Sequence, residues 1–467
     1  MSRTVKARNS EPIDVDQLEI FSNPNQRENV SLSGGLVRLQ YWESILQDTV
    51  RAAVVFADSG NSINDKSVVD GLPVVGQERV VIKITDHNGV QLDFSGESSL
   101  YVNKVTPIDN DSTKSMTHLD LVSKEYIMNE KIRLNKRFDG KISESIDTIL
   151  TDEEYLNTQK DVEIDITSNN FNFIGNNRKP FYTLNWLSKR GVPNSPQAGG
   201  NTAGFLFWET SEGFKFKSID NLLDTNKNPQ QKSIIFNQSV DKESIPAGYD
   251  VKALEYSVDN KINVQDKLKM GTYSNRIVTF DPFTCFYEVI APNAGASSTP
   301  SQNSSGPTNI PGNQRHLTTA GRSLPLLNKE FDIEGNNQDF TRTTYVLLDK
   351  GVLPIGNNAK EQLKKSKDPN FIAKMVLNQS IMRMNQLFSA ATTVTIPGDF
   401  SLHAGQSVFV DAPSLESDTS NDDVNDQSGG LYIIADLCHF ITPKETYTKL
   451  NLIRDSFGRT GNHSTGR

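Results

Sequence analysis

The chain has 467 residues, 36% of them hydrophobic, and its 57 acidic and 48 basic side chains give a net charge of −9. At about 150 residues per domain, this length predicts about three domains. The acidic balance argues against tight nucleic-acid binding, and no run approaches the ~20 apolar residues of a membrane span. Cys285 and Cys438 are too few for a disulfide framework or a cysteine-based zinc site. We expect a soluble, loop-rich protein from a reducing compartment, without a membrane anchor.

The first part of the chain is rich in strand patterns. Apolar residues such as Leu39 and Tyr41 recur at a spacing of two, which is typical of a half-buried strand. Strands are predicted in three regions. Residues 31–56 hold two strands, residues 78–84 hold one, and residues 99–105 and 115–122 form a hairpin. The second strand of 31–56 also fits a short helix. We therefore expect a mostly β domain over residues 1–130.

The pattern then changes. Isoleucines at helical spacing in residues 137–150 predict one helix, and Pro180 begins a second helical segment. Residues 205–223 predict a hairpin that ends in a short helical stretch. Residues 131–235 are therefore expected to form a small α+β domain.

The remainder combines strands with a long insertion. Short strands are predicted over 236–290 and again over 390–467. Between them, residues 291–316 are rich in serine, proline, asparagine and glycine, a composition typical of a mobile loop. A helix is predicted over 370–388, with an apolar face formed by Leu377, Ile381, Met384 and Phe388. We expect a second β domain built from both strand regions and interrupted by an insertion over 291–389.

The two β regions repeat each other in sequence. Tyr101 and Tyr432 lie 331 positions apart (432 − 101 = 331), and Leu119 and Leu450 have the same separation. A Gly-Gln dipeptide that begins at Gly76 in the first region begins at Gly405 in the second. Unrelated hairpins also share valine, isoleucine and threonine, so chance similarity is the alternative. The common order and spacing of three segments favour a duplicated β-barrel.

Three segments resemble phage baseplate proteins. Residues 427–459, QSGGLYIIADLCHFITPKETYTKLNLIRDSFGR, resemble the final barrel hairpin of baseplate hub proteins. Residues 126–152 resemble the junction after the first barrel of those proteins, and residues 205–223 resemble the phenylalanine-rich hairpin that follows it. The closest resemblance is to the central hub of contractile-tailed, myovirus-type phages. Late-control D proteins and the hub of type VI secretion spikes are similar more distantly.

The resemblance implies a mainly β fold with α+β insertions, in which two homologous tube-type β-barrel domains are joined by a small α+β domain. It also implies a homotrimer whose six barrels form a ring between a six-fold tail tube and a three-fold spike. The expected partners are the tail spike protein, the tail tube and other baseplate proteins, with DNA only in transit through the channel. The expected location is the virion tail baseplate, after assembly in the bacterial host cytoplasm.

Four stretches have both a functional and a structural interpretation, and in each case we favour the structural one. The acidic tract over 411–430 fits a cation or partner site, or a solvated loop. A basic cluster fits DNA or subunit binding, or a solvated linker face. The Phe-Lys-Phe-Lys stretch 214–217 fits a half-buried strand better than a nucleic-acid platform. The apolar face of the 370–388 helix fits core better than a subunit interface. The acidic residues are Asp411, Glu416, Asp418, Asp422, Asp423 and Asp426, and the basic ones are Lys131, Arg133, Lys136, Arg137 and Lys141.

No catalytic, cofactor-binding or metal-binding residue is assigned from the sequence, and we expect no enzyme activity and no cofactor. The six histidines show neither helical metal spacing nor an H-E-x-x-H motif. Cys438 and His439 are neighbours on a predicted strand, so their side chains are expected on opposite faces. The alternative functions are a tail-associated peptidoglycan hydrolase and a tube- or sheath-type assembly protein. With 57 acidic residues, a glycosidase-type carboxylate pair is not informative.

Overall fold

A computed structural model describes most of the chain and shows a mainly β architecture, as predicted. The described residues are 10–23, 28–60, 63, 65–110, 113–194, 203–236, 245, 248–260, 263–271, 275–282, 285–290, 342–347, 357–361, 373–388, 390–412 and 428–455. The 291–316 loop and most of the 411–430 acidic tract lie outside them.

The first eight strands form what we call the N-terminal strand set. Their bounds are β1 Val15–Phe21, β2 Asn29–Ser31, β3 Leu36–Ser44, β4 Arg51–Asp58, β5 Arg79–Thr85, β6 Gln91–Phe94, β7 Leu100–Asn110 and β8 Ser115–Ser123, with a short helix α1 at Val68–Gly71. They pair antiparallel in the order β3-β4-β8-β7-β5-β1-β2, and β6 also pairs with β5. Both 31–56 segments are strands, and the 99–122 hairpin is confirmed. Their alternating apolar side chains enclose one core cluster.

The middle of the chain mixes helices with short strands. The elements are α2 Lys124–Lys131, β9 Arg137–Phe138, α3 Ile142–Thr151, β10 Asp161–Ile164, β11 Phe173–Ile174, α4 Pro180–Ser188, β12 Phe205–Thr210, β13 Gly213–Ser218 and α5 Ile219–Leu223. The side chain of Ser218 caps α5 by accepting a hydrogen bond from the backbone N–H of Asn221, at 3.1 Å. Stacked phenylalanines fill the core, with the Phe205 and Phe216 ring centroids 4.6 Å apart.

The C-terminal strand set consists of β14–β16 and β20–β23. The elements from residue 230 onward are β14 Gln230–Ile235, β15 Val251–Lys252, β16 Glu255–Asn260, α6 Val264–Met270, β17 Asn275–Asp281, β18 Phe286–Ile290, β19 Arg342–Leu347, α7 Ala373–Leu387, β20 Ala390–Pro397, β21 Ser407–Asp411, β22 Gly430–Ile441 and β23 Thr446–Arg454. The pairing order in this set is β16-β20-β23-β22-β21-β14-β15. A third apolar cluster lies inside it.

Two strand placements differ from the sequence prediction. β14 pairs with β21 and so belongs to the C-terminal strand set, although residues up to 235 were assigned to the α+β domain. β17 and β18, which were assigned to the second β domain, instead form a separate three-stranded sheet with β19. β14 and β17 each pair with a strand that lies far away in sequence, β21 and β19, and local pattern does not encode such a partner.

The 370–388 helix is confirmed as α7, and its apolar face is largely buried. Leu377 is buried, and Met384 and Phe388 pack against a cluster that also contains residues of α5 and β22. On the same helix, the buried Arg383 guanidinium contacts the carboxylate of Asp455 at 3.1 Å. These contacts support the core interpretation of the helix.

The sequence repeat reappears in the strand pairing. β8 and β23 are both nine residues long and begin 331 positions apart (446 − 115 = 331). β4 pairs with β8 as β20 pairs with β23: Val54 lies opposite Leu119, and Val394 lies opposite Leu450. The repeat does not extend to the strands that follow β5 and β21 in the sheet, β1 and β14. β1 runs antiparallel to β5, whereas β14 runs parallel to β21.

The repeated glycines Gly76 and Gly405 provide a matched stability test. Both have positive φ, +108° and +91°, but a Cβ on Gly405 would lie 2.5 Å from Cζ2 of Trp208, whereas the nearest atom to one on Gly76 is 3.9 Å away. We expect Gly76→Ala to lower the free energy of unfolding by about 1–2 kcal/mol through backbone strain. Gly405→Ala should cost about 1–3 kcal/mol more, because the indole must move. Urea denaturation of both variants measures this, and equal losses would contradict it.

Candidate functional site at the junction of the two strand sets

The two strand sets meet through one strand. The first part of β22 pairs with β21, and its second part pairs antiparallel with β3, from Asp436 opposite Ser44 to Ile441 opposite Leu39. The opposite edge of β22 pairs with β23. A single strand therefore belongs to both sets and joins them into one sheet.

The sequence of β22 explains this change of partner. Its first residues, Gly430–Ala435, are apolar and all buried, which is typical of a strand covered on both faces. From Asp436 onward, half-buried and buried side chains alternate, as expected for a strand with one covered face. The pairing of β22 with β23 shifts register between Ile434 and Asp436, where the two patterns meet.

A buried carboxylate, Glu43 of β3, connects three parts of the chain at this junction. Tyr41 donates its hydroxyl hydrogen to Glu43 at 2.8 Å, and the backbone N–H groups of Ser211 and Ala404 each donate at 2.8 Å. The Nδ1 atom of His403 lies 3.3 Å from the same carboxylate. Burial raises the pKa of Glu43, but His403 and the two N–H groups outweigh it and hold the pKa below its ordinary value.

His403 is the imidazole partner of this carboxylate. Burial by itself lowers the pKa of His403, but the Glu43 carboxylate and, less strongly, Glu212 raise it above its ordinary value. The Nε2 atom of His403 lies 3.6 Å from Glu212, which is at the tip of the β12–β13 hairpin. Glu43 and His403 therefore link the N-terminal strand set, the α+β hairpin and the loop before β21.

A second buried network lies beside the first. The ammonium group of Lys160 contacts Glu125 at 2.7 Å and Glu209 at 2.6 Å. Glu209 also accepts the backbone N–H of Val50 at 3.0 Å, and Thr158 donates to Glu125 at 2.7 Å. Burial lowers the pKa of Lys160, but the two carboxylates raise it above its ordinary value. This network fastens the α+β region to the loop between β3 and β4.

Cys438 and His439 lie on opposite faces of β22, as predicted. His439 is fully buried, and its Nδ1 atom lies 2.9 Å from the hydroxyl of Thr448. Burial lowers the pKa of His439 to about 4, so the ring is neutral at pH 7. Cys438 is partly exposed, and burial raises the pKa of its thiol to about 11. The geometry does not form a thiol–imidazole pair.

In the other stretches singled out from the sequence, charged side chains pair with neighbouring groups of the protein. In the basic cluster, Lys136 pairs with Glu154, and Arg137 pairs with Asp139 at 2.7 Å. Residues 214–217 form the predicted half-buried strand: the two phenylalanines are buried, and the two lysines pair with Glu163. These groups are held by local partners.

In the described part of the acidic tract, Asp411 accepts a hydrogen bond from the hydroxyl of Tyr249. The tract's other five acidic residues lie outside the described residues. Within the described ranges, no cluster of three histidine, cysteine, aspartate or glutamate side chains is arranged to hold a metal ion. None of the described helices is long and apolar enough to cross a membrane.

Sequence reasoning missed Glu43 and His403. The signal for Glu43 was present, because the alternation that buries Leu39 and Tyr41 continues to position 43 and places a charged residue on the buried face. His403 lies in a loop without periodic pattern, and it contacts Glu43 across 360 positions of sequence.

Comparisons with known proteins find similarity in structure and none in sequence. No protein-family profile matches the sequence, and no curated protein matches it. Its structural neighbours are phage tail proteins and type VI secretion proteins, at low sequence identity.

The 43 kDa tail protein of prophage MuSo2 from Shewanella oneidensis is 9% identical, with a TM-score of 0.47 over 95% of this chain and 98% of that one. A tail protein from Neisseria meningitidis MC58 is 8% identical, with a TM-score of 0.48 over 95% and 98%. A type VI secretion component of E. coli, c3393, described as similar to the T4 tail proteins gp27 and gp5, is 8% identical, with a TM-score of 0.39 over 99% of this chain and 79% of that one.

Neutralising Glu43 tests its role at the junction. We expect Glu43→Gln to lower the free energy of unfolding by about 3 kcal/mol, because His403 and Tyr41 lose a buried charged acceptor. Glu97→Gln is the matched control. Glu97 is exposed and pairs with exposed Lys124 at 3.4 Å, so this variant should change the free energy of unfolding by no more than about 0.5 kcal/mol. Urea titration at pH 7 measures both, and equal effects would contradict the assignment.

The buried His439 ring predicts an acid-sensitive contribution to stability. Its folded pKa of about 4 lies below the ordinary value of about 6.5, so its contribution is present above pH 6.5 and is lost as the pH falls towards 4. The full loss is about 3 kcal/mol. We expect His439→Asn to flatten the stability curve between pH 6.5 and 4 relative to the unsubstituted protein, in urea titrations at a series of pH values. Parallel curves would refute this.

Proposed function

We propose that this chain is a structural baseplate hub subunit of a phage tail. Three copies would form a pseudo-six-fold ring that joins a six-fold tail tube to a three-fold spike, supports initiation of the tube and leaves an axial channel for DNA. The proposed partners are a second and third copy of the chain, the tail spike protein, the tail tube and other baseplate proteins. The proposed location is the virion tail baseplate, after assembly in the host cytoplasm.

The observation that carries this proposal is the repeated strand pairing within one chain. β7 with β8 and β22 with β23 form matching hairpins: Leu119 lies opposite Val105, and Leu450, 331 positions after Leu119, lies opposite Leu437. The two strand sets meet edge to edge through β3 and β22. Three copies of the chain, each with two similar units, give a ring of six units. A ring of this kind can present six similar patches to one neighbour and three identical patches to another, which resolves the symmetry mismatch.

The domain organisation belongs to the same proposal. The first barrel domain covers 1–130, the α+β domain 131–235, the second barrel domain 236–290 with 390–467, and the insertion 291–389. The pairing of β14 with β21 supports moving the start of the second barrel domain back to residue 230.

The charge of the chain supports passage of DNA rather than its retention. A trimer would carry three times −9, or −27, and a wall without clustered cations does not hold phosphates. Two residues of the basic cluster, Lys136 and Arg137, are paired with carboxylates, which agrees with this role.

The peptidoglycan hydrolase is the alternative to be separated by experiment. The buried carboxylates Glu43 and Glu209 do not favour it, because Glu43 accepts backbone N–H groups and contacts His403, and Glu209 accepts the backbone N–H of Val50 and pairs with Lys160. Both are therefore occupied by the protein itself. We assign no catalytic, cofactor-binding or metal-binding residue.

The mass of the purified protein tests the hub function. We expect native mass spectrometry to give a trimer of about 156 kDa, three times 51.9 kDa, and negative-stain images to show a ring with a central hole. A monomer both in solution and in reconstituted tails would overturn the proposal. Clearing of a peptidoglycan gel by the protein, with lysozyme as the positive control, would support the hydrolase instead.

A further inference from the structure

The three-stranded sheet of β17, β18 and β19 has one buried face and one exposed face. In the central strand β17, Ile277 and Thr279 are buried. The alternate residues point to the other face: Val278 is half-buried, and Phe280 is 44% exposed. The helix α7 contacts β17 and β18. Since the face of Phe280 is exposed, α7 lies on the opposite one.

The exposed face is apolar across all three strands. The strand register places four further large apolar residues on the face of Phe280, because residues directly opposite each other share a face. They are Tyr287 and Val289 of β18 and Tyr345 and Leu347 of β19. Their exposed fractions run from 48% for Val289 to 77% for Tyr345. We call these four side chains, with Phe280, the exposed sheet face. A contiguous apolar patch of this kind marks a binding surface.

The connection between β18 and β19 is long, and both of its ends lie at the same end of this sheet. It consists of residues 291–341, 51 residues that lie outside the described ranges (341 − 290 = 51). On one side of β17, Ile290 lies opposite Ile277. On the other side, Arg342 lies opposite Asn275. The two attachment points are thus two strand spacings, about 10 Å, apart across the sheet, a gap that a few residues could cross.

The apolar residues of this connection are concentrated in one stretch. Residues 324–333, LPLLNKEFDI, include five large apolar residues, whereas residues 291–316 contain one, Ile310. Position 333 precedes Arg342 by nine residues (342 − 333 = 9), which reach about 30 Å when extended. The strand β17 has seven residues and is about 23 Å long. From its attachment at β19, the stretch 324–333 can therefore reach the whole exposed sheet face.

We propose that residues 324–333 pack on the exposed sheet face of the same chain. The face has no partner among the described residues, and contact with an apolar stretch removes its side chains from water. The occupant is this stretch rather than a second copy or another protein, because it is attached to the sheet at both ends. Such attachment gives it a high effective concentration that a separate molecule lacks. The inference goes beyond the proposed hub function and does not depend on it.

Hydroxyl-radical footprinting of the full chain, read by mass spectrometry, tests the contact. Tyr287 and Tyr345 of the exposed sheet face are the probes. Tyr182 of α4, which is 57% exposed, is the reference for an accessible tyrosine. We expect both probes to be oxidised several-fold more slowly than Tyr182, although 66% and 77% of their surfaces are free of contacts with the described residues.

Substitutions in the connection show which residues protect the probes. In a variant that combines Leu326→Ser, Leu327→Ser and Phe331→Ser, we expect both probes to be oxidised as fast as Tyr182. Ile310→Ser is the matched control, because it removes an apolar residue of the same connection outside 324–333, and it should leave the probes protected. Circular dichroism spectra of both variants should match that of the unsubstituted protein.

Photo-cross-linking identifies the occupant without altering residues 324–333. With benzoylphenylalanine in place of Tyr345, we expect irradiation to link this position to the tryptic peptides 323–329 or 330–342, which together contain the stretch. In a mixture of isotope-labelled and unlabelled protein, each linked product should carry a single isotope, because both ends belong to one chain. The same group in place of Tyr182 is the control and should not link to these peptides.

Every other outcome overturns the inference. Probes oxidised as fast as Tyr182 in the unsubstituted protein mean that the exposed sheet face has no occupant. Protection that persists in the triple variant, or links to other peptides, means that another segment or another protein occupies the face. Links that join the two isotopes mean that the occupant is a second copy. A native trimer with any of these results leaves the hub function standing, because the probes report on the sheet and not on the ring.

Discussion

The antiparallel pairing of β3 with β22 is the contact on which the arrangement of the whole chain depends. It joins two strand sets in one sheet and brings the loop before β21 next to Glu43. Burying a carboxylate costs several kcal/mol unless it is paired and fully hydrogen-bonded. Here the two backbone N–H groups, the Tyr41 hydroxyl and the His403 ring meet that requirement.

Much of the fold could be predicted from local pattern. The alternation in β3, β7, β8 and β23, and the isoleucine spacing of α3, gave the correct element types, and the offset between repeated residues agrees with the strand pairing to within one residue. What could not be predicted is decided by distant partners. β17 pairs with β19, 67 positions away at Asn275 and Arg342 (342 − 275 = 67), and Glu43 meets His403 across 360 positions. In neither case does the neighbouring sequence carry a signal for the partner.

The two strand sets differ in ways that match their surroundings. The paired hairpins and the Gly-Gln turns are retained, whereas the outer strand is antiparallel in one set and parallel in the other. Trp208 packs over Gly405 but has no counterpart at Gly76. The two strand sets therefore differ at their outer strands, as the proposed ring, three-fold and only approximately six-fold, requires.

Covalent linkage of the two strand sets changes how such a ring assembles. Half of the barrel-to-barrel contacts in the proposed trimer, those between β3 and β22, lie within a chain and form at a high effective concentration that does not depend on protein dilution. Only three contacts remain to be formed by collision, instead of six for a ring of separate units. A fused duplication of this kind lowers the protein concentration at which the ring completes, and it limits the number of partly built intermediates.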